Sequence, residues 1–236
     1  MPTNHAILSA SSSHRWLECP PSAKLCAELP DTSSEYAQEG TDAHALCEHR
    51  LKALLGRETT DPTENLTYYN EEMERCAVEY ATYAYEQVKK AKVACNDPIV
   101  LIEQKLDFSR WVPEGFGTGD CVIVADGTLS VIDFKYGKGV EVRAENNPQM
   151  MLYALGALEL FDGIYDISAV NMIIFQPRRD NISEYAISKE ELLRWANEIL
   201  TPTAQLAANG DGDFKAGKHC RFCKVRATCR KLAEYN

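Results

Sequence analysis

Two groups of residues in this chain have the types and spacing to do chemistry. The first is Asp120, Asp133 and Lys135, which flank Asp126-Gly127, a dipeptide that favours a two-residue hairpin turn. A turn there sets Val124 opposite Leu129, Val122 opposite Val131, and Asp120 opposite Asp133. Alternation puts all three pairs on one side of the sheet, an apolar face that ends in two opposed carboxylates. Like charges set opposite each other destabilise a sheet, so a shared proton, Lys135 or a divalent cation must neutralise them. Hard oxygen ligands completed by water suit Mg²⁺ or Mn²⁺. Such a site polarises a phosphoryl oxygen and activates water, with Lys135 orienting that water or stabilising the developing charge. The plainer alternative is a solvated ion pair at an exposed hairpin end. On metal-free protein, repulsion between the acids predicts that Asp120→Asn relieves strain rather than removing a support.

The second group is Cys220-x₂-Cys223-x₅-Cys229 in a basic tail. Burial alone does not cluster thiols among lysines and arginines, so the pattern points to metal. Three thiols leave one position, for which Cys19 and His219 are candidates and Cys26 a weaker one. Zinc and an iron–sulfur cluster both remain open on spacing. Cys47, Cys76, Cys95 and Cys121 sit singly in periodic segments and read as small core residues.

Around these groups the chain reads as an ordinary folded protein. It has 236 residues with 45% apolar and 25% charged side chains, which excludes long-range disorder and suggests one domain spanning 1–236. No run approaches the length of a membrane-spanning helix. Nine cysteines, and no basic or apolar leader in Met1–His5, argue for a cytoplasmic protein without a disulfide framework. Net charge is −10 and unevenly placed. Residues 214–236 carry +6 and residues 1–213 carry −16. The acidic body argues against nucleic acid, whereas a local basic patch can still hold phosphates.

The elements that must position these groups follow from periodicity. A short helix is expected near His14–Cys19, stopped by Pro20-Pro21. Helices are expected over 34–55, capped by Ser34, and from Asn70 to about Ala91. Strands are expected over 99–108, 119–125 and 128–135, a helix over 147–161, a strand over 169–176, and one long helix over 188–208. That order implies an α/β fold with a mixed central sheet flanked by helices. His44 falls on the first long helix, and Gln149 and Tyr153 share a face of a later one; each reads by default as packed. Glu103 shares its strand side with Lys105 and Asp107 and is left out of the acid site. Arg178-Arg179 reads as solvated surface.

The motifs in order resemble a known family. Gly40-Thr41-x-x-His44, Gly117-x-x-Asp120, Asp133-x-Lys135 and Gln149-x-x-x-Tyr153 are similar to the RecB-type nuclease branch of the PD-(D/E)XK phosphodiesterases. Cys19 before Pro20, with three cysteines at the far end, resembles its iron–sulfur subset, which includes AddB and cluster-bearing CRISPR-associated exonucleases. The resemblance implies a restriction-endonuclease-like core over 34–208. His44, Asp120, Asp133 and the backbone carbonyl of Phe134 would be metal ligands for Mg²⁺ or Mn²⁺, and Lys135 the catalytic lysine. Gln149 and Tyr153 would contact DNA or position that lysine. Cys19, Cys220, Cys223 and Cys229 would hold a 4Fe–4S cluster joining the two ends of the chain. The implied activity is a DNA exonuclease of phage or bacterial recombination and repair, with DNA as substrate and a phage recombinase or helicase as the partner class. Asp133 stands where many members have Glu. Two other classes stay open: a non-catalytic nucleic-acid-binding accessory protein with a structural iron–sulfur or zinc site, and a zinc-stapled protein with no nucleic-acid role.

Overall fold

Polar caps start the long helices, and alternating apolar residues fix the hairpin. The computed structural model describes residues 6–30 and 34–235; Met1–His5, read above for a leader, lie outside them. The helices are α1 (Ser13–Glu18), α2 (Ser22–Ala27), α3 (Glu35–Leu54), α4 (Glu71–Ala94), α5 (Pro148–Phe161), α6 (Lys189–Trp195), α7 (Thr201–Asn209) and α8 (Arg230–Tyr235). The strands are β1 (Ile99–Asp107), β2 (Phe116–Ala125), β3 (Gly127–Phe134), β4 (Ile167–Gln176) and β5 (Asn181–Ser188). Ser34 accepts from the Ala37 N–H at 3.2 Å, and Asn70 from Met73 at 2.9 Å. Asn147 takes the N–H groups of Gln149 and Met150 at 3.0 and 3.4 Å. These bonds satisfy first-turn donors that have no partner within the helix.

The strands form one mixed sheet in the order β1-β2-β3-β4-β5. β3 and β4 are parallel and the other neighbours antiparallel, so α5 supplies the crossover that a parallel pair requires. The hairpin register is the expected one: Ala125↔Thr128, Val124↔Leu129 and Val122↔Val131. Alternation then divides the interior in two. Val122, Val124, Leu129 and Val131 face the buried side of α5, whereas Cys121, Ile123, Ile132 and Phe134 face α3 and α4. Cys47, Cys76, Cys95 and Cys121 are all buried in these cores, as their isolated positions suggest.

The structure departs from the sequence reading in three elements. α2 begins just after Pro20-Pro21, with Pro21 at its cap, because proline stops a preceding helix yet suits the start of another. β5 was not expected; its residues are mostly half-buried or exposed, so its apolar alternation is faint. The last long helix is broken by a π turn over Ala196–Leu200. Pro202 follows with no N–H to donate, and Thr201 bonds its side chain back to the Ala196 carbonyl at 2.9 Å.

Arg178 corrects the expectation of a solvated pair. Its side chain is 12% exposed, 3.1 Å from Glu39 of α3 and 2.9 Å from Glu72 of α4, and its guanidinium lies 4.3 Å from the centre of the Tyr136 ring. Gln176, also buried, donates to the carbonyls of Gly137 and Val140 at 2.8 Å each. Together they pin the segment that follows Lys135. The two ends of the described chain also meet: Glu18 pairs with Lys215, Lys224 donates to the Leu29 carbonyl at 3.2 Å, and α1 and α2 pack on α7. Among the described residues no helix is long and apolar enough to cross a membrane.

Arg178→Leu sets an apolar side chain against two partly buried carboxylates and takes the guanidinium from Glu39, while Glu72 keeps Lys138 at 2.9 Å. It should cost about 1–2 kcal/mol, between the surface and buried limits for ion pairs. Urea unfolding checks this, and limited proteolysis should show new cutting at 137–142.

Candidate metal centre

The β2–β3 ladder stops at Cys121↔Ile132, one residue short of the two acids. Beyond it the Asp120 carboxylate replaces a backbone partner: its Oδ2 accepts the Phe134 N–H at 2.7 Å. Its Oδ1 lies 3.3 Å from Nδ1 of His44, which α3 lays across the end of the sheet, edge-on to the Phe134 ring at 5.4 Å. The same Nδ1 is 3.9 Å from Glu103 Oε1. His44, Glu103 and Asp120 each present one donor atom within 4.8 Å of the others. Octahedral coordination at about 2.1 Å puts neighbouring ligands roughly 3 Å apart and opposite ones roughly 4 Å apart, so the 3.3 and 3.9 Å separations about His44 are of the size a small divalent cation would need.

Glu103 is the residue the sequence reading left out. Strict alternation assigned it to the side of Lys105 and Asp107, but its φ is +50°. A left-handed residue breaks alternation, and here it turns the carboxylate to the end of the sheet. Such strain in a non-glycine residue gathers at functional sites. Glu103 stands mid-strand in β1, between the pairs Ile102↔Cys121 and Gln104↔Gly119 and so across from Asp120; the sequence offers no turn that would fix this register in advance.

Asp133 and Lys135 form the second half of the centre. Asp133 is 2% exposed, and its Oδ2 sits 2.8 Å from Lys135 Nζ without the alignment of a hydrogen bond. Lys135 Nζ donates to Gln149 Oε1 at 3.1 Å, Gln149 Nε2 donates to Tyr153 Oη at 3.0 Å, and the same amide lies 3.4 Å from Asp133 Oδ1. Gln149 and Tyr153 are therefore joined to the lysine rather than merely packed. Gly117 makes room for this: a Cβ there would sit 2.7 Å from the Tyr153 ring. Of the residues foreseen as ligands, His44 and Asp120 belong to the trio. Asp133 is engaged by Lys135, and Phe134 is tied in through its N–H.

Charge explains the arrangement. Burial disfavours the His44 cation, but attraction by Asp120 and Glu103 overrides it and pushes its pKa up to about 10. Burial likewise works against the Asp120 anion, yet His44, Lys135 and the Phe134 N–H hold it below the usual range. Asp133 moves the other way, raised by burial and by the Asp120 charge against the pull of Lys135. Glu103 is raised by burial and by Asp120, with His44 opposing. Of the two acids expected to repel in metal-free protein, Asp133 is the one that burial and its neighbour raise, whereas His44 relieves Asp120. A proton on His44 occupies the role a cation would take, so cation binding must release it.

At the opposite end of the chain, Cys19, Cys220, Cys223 and Cys229 all line one cavity of about 520 Å³, together with basic residues that include Arg15, Lys215 and Arg226. Its volume far exceeds the roughly 30 Å³ of a water molecule. Cys26 instead lies 3.8 Å from Cys223, sulfur to sulfur. His219 is turned to the Lys215 carbonyl at 2.8 Å. Burial pushes the Cys223 thiol up to about 11.

The fold and its two sites define a mixed α/β protein with a carboxylate–histidine centre at a hairpin end and a thiol-lined cavity. The chain belongs to the family described as "Protein of unknown function (DUF2800)", whose model matches residues 5–236. It is also similar to a solved structure described as "Putative exonuclease" from Eubacterium rectale, with TM-score 0.47 and 11% identity over 94% of this chain and 88% of that one. A second similar structure is that of SSO0001, with TM-score 0.32 and 15% identity over 79% of this chain and 95% of that one.

Because the His44 pKa is raised above its unfolded value of 6.5, its contribution to stability is full below that pH. It is lost as pH climbs to about 10. With divalent cations chelated, the parent's melting advantage over His44→Gln should shrink across that window; a constant advantage would refute the ion pair. At neutral pH, Asp120→Asn should melt below the parent and Asp133→Asn level with it or above.

Proposed function

We propose that this protein is a divalent-metal-dependent deoxyribonuclease, an exonuclease built on a restriction-endonuclease-like core over 34–208 within one domain. The observation that carries this reading is the pairing of a donor trio (His44, Glu103, Asp120) with an adjacent lysine on a buried acid (Lys135 and Asp133). Two acids, an imidazole and one aimed ammonium are the parts that phosphodiester hydrolysis needs. The order of motifs along the chain supports the same reading.

His44, Glu103 and Asp120 would hold the cation, and the motif order makes Asp133 and the Phe134 carbonyl the further ligands of this reading. When bound, Mg²⁺ or Mn²⁺ would polarise the phosphoryl oxygen and favour deprotonation of the attacking water. Lys135 supplies a fixed positive charge for the pentacoordinate phosphorane. Gln149 and Tyr153 set the direction in which that ammonium points. Gly40 supports substrate access: a Cβ there would meet nothing within 4 Å. Packing does not call for a glycine that costs a helix about 1 kcal/mol, whereas close approach of a phosphate backbone does.

The cysteines support a 4Fe–4S staple. Four thiols on one cavity that is also lined by Arg15, Lys215 and Arg226 match a polyatomic anionic group better than a single zinc ion, which draws its sulfurs to about 2.3 Å. Cys19 is the fourth ligand in this reading. The group would be structural, joining the two ends of the chain.

Two measurements test the proposal. Lys135→Ala should bind DNA and Mn²⁺ nearly as the parent does while cleavage of end-labelled DNA falls by about 10²-fold or more. His44→Ala should instead raise the Mn²⁺ concentration needed. If both cleave like the parent, the centre is not catalytic and an accessory, nucleic-acid-binding role takes its place. Anaerobically purified protein should contain iron and acid-labile sulfide in equal amounts, and each Cys→Ser change at 19, 220, 223 or 229 should lose both along with solubility. Stoichiometric zinc without iron would refute the cluster.

A further inference from the structure

Exposed apolar side chains scattered singly need no explanation, but several here share one groove. Ile7, Leu29, Val140, Phe222 and Tyr235 are all more than a third exposed, and all line a single concave surface of about 1640 Å³. Phe222 is the most exposed of them at 78%. The same groove is lined by Lys218, Arg221, Lys224 and Arg226 of the +6 tail. Arg221 places its guanidinium 5.5 Å from the centre of the Phe222 ring, and its carbonyl accepts from Arg226 at 3.1 Å. A basic surface fitted with outward aromatic rings is more than a solvated face.

The position of the groove matters as much as its lining. Ala37 of α3 borders it, two turns before His44 and so about 10 Å from it along the helix axis. Val140, another border residue, follows Lys135 by five positions. Ser9 and Ser11 line it too, on either side of Ala10, whose Cβ lies 3.4 Å from where a Gly117 side chain would begin. Three segments of the groove wall thus reach the elements that carry the metal centre: α3 with His44, the chain after Lys135, and β2 at Gly117.

We propose that this groove binds single-stranded DNA and leads the strand to the metal centre. Phosphates lie along the Lys218, Arg221 and Arg226 wall, and bases stack on Phe222 and Tyr235. The chemistry favours a single strand over a duplex. Any nucleic acid is repelled by the −16 body and attracted by the tail, but only unpaired bases offer their faces to exposed aromatic rings. Delivery to the centre rests on the nuclease reading; binding in the groove does not.

The test uses the full chain, prepared anaerobically, with fluorescently labelled oligo-dT of about 20 nucleotides and a duplex of equal length, without added divalent cation. Phe222→Ala should weaken oligo-dT binding roughly 5-fold or more and leave duplex binding nearly unchanged. Arg221→Gln should flatten the salt dependence of oligo-dT binding by about 0.7 in logarithmic slope. Melting temperatures verify that both variants are folded. Parent-like oligo-dT binding by both variants, equal losses on duplex, or a parent that does not bind oligo-dT would each overturn the groove. If the parent degrades labelled DNA with Mn²⁺ while the groove variants bind normally, the groove alone fails. If oligo-dT binding depends on Phe222 but Mn²⁺ brings no cleavage, the groove stands and the nuclease reading fails.

Discussion

Two carboxylates taken out of water at the end of one hairpin set the terms for everything around them. An isolated buried anion is too costly to keep, so each acid needs its own compensation. Asp120 finds it in a backbone N–H and an imidazole, and Asp133 in a lysine two residues along its own strand. These partners arrive on different elements. α3 carries His44, the β-ladder must end where Asp120 can capture the Phe134 amide, and α5 carries the glutamine that steadies Lys135. The helix caps, the tight crossover and the clamped segment after Lys135 all fix those three approaches. The scaffold is thus organised around a local electrostatic debt that side chains from three layers discharge.

Much of this was legible because the hairpin obeys a strict period of two. With Asp126-Gly127 fixing the turn, the register of Val122, Val124, Leu129 and Val131 followed, and with it the position of both acids. The isolated cysteines were legible for the same reason: each falls on the apolar stripe of its own element. Glu103 was not, because a single residue with positive φ reverses the side on which a strand residue projects, and nothing in its neighbours announces it. Arg178 was missed because a charged pair after a strand looks solvated unless one knows that Glu39 and Glu72 lie across from it. β5 was missed because an edge strand with one buried residue in eight carries almost no apolar pattern. The repulsion between the acids was legible and falls on Asp133; that Asp120 is relieved of it was not, because a helix distant in sequence brings His44 to it.

The thiols divide along similar lines. Cys47, Cys76 and Cys121 are filler in the layer under α3 and α4, where burial keeps them protonated and inert. The cavity thiols sit among cations such as Arg15, Lys215 and Arg226. The two populations share a side chain but not their surroundings: one is packing material in an apolar layer, the other lines a cavity among cations.

The meeting of residues 6–29 with residues 214–235 has a consequence for synthesis. The early segment carries Ala10, which backs the strand leading to Asp120, and α1 and α2, which rest on α7. On a ribosome adding roughly 5–20 residues per second, that segment is made on the order of 10–40 s before its partners near Lys215 and Cys223 exist. The sheet can pair and the acids can find His44 in that interval, but the flank beside them stays open. Assembly of the centre is therefore vectorial, with its outer wall the last part to close.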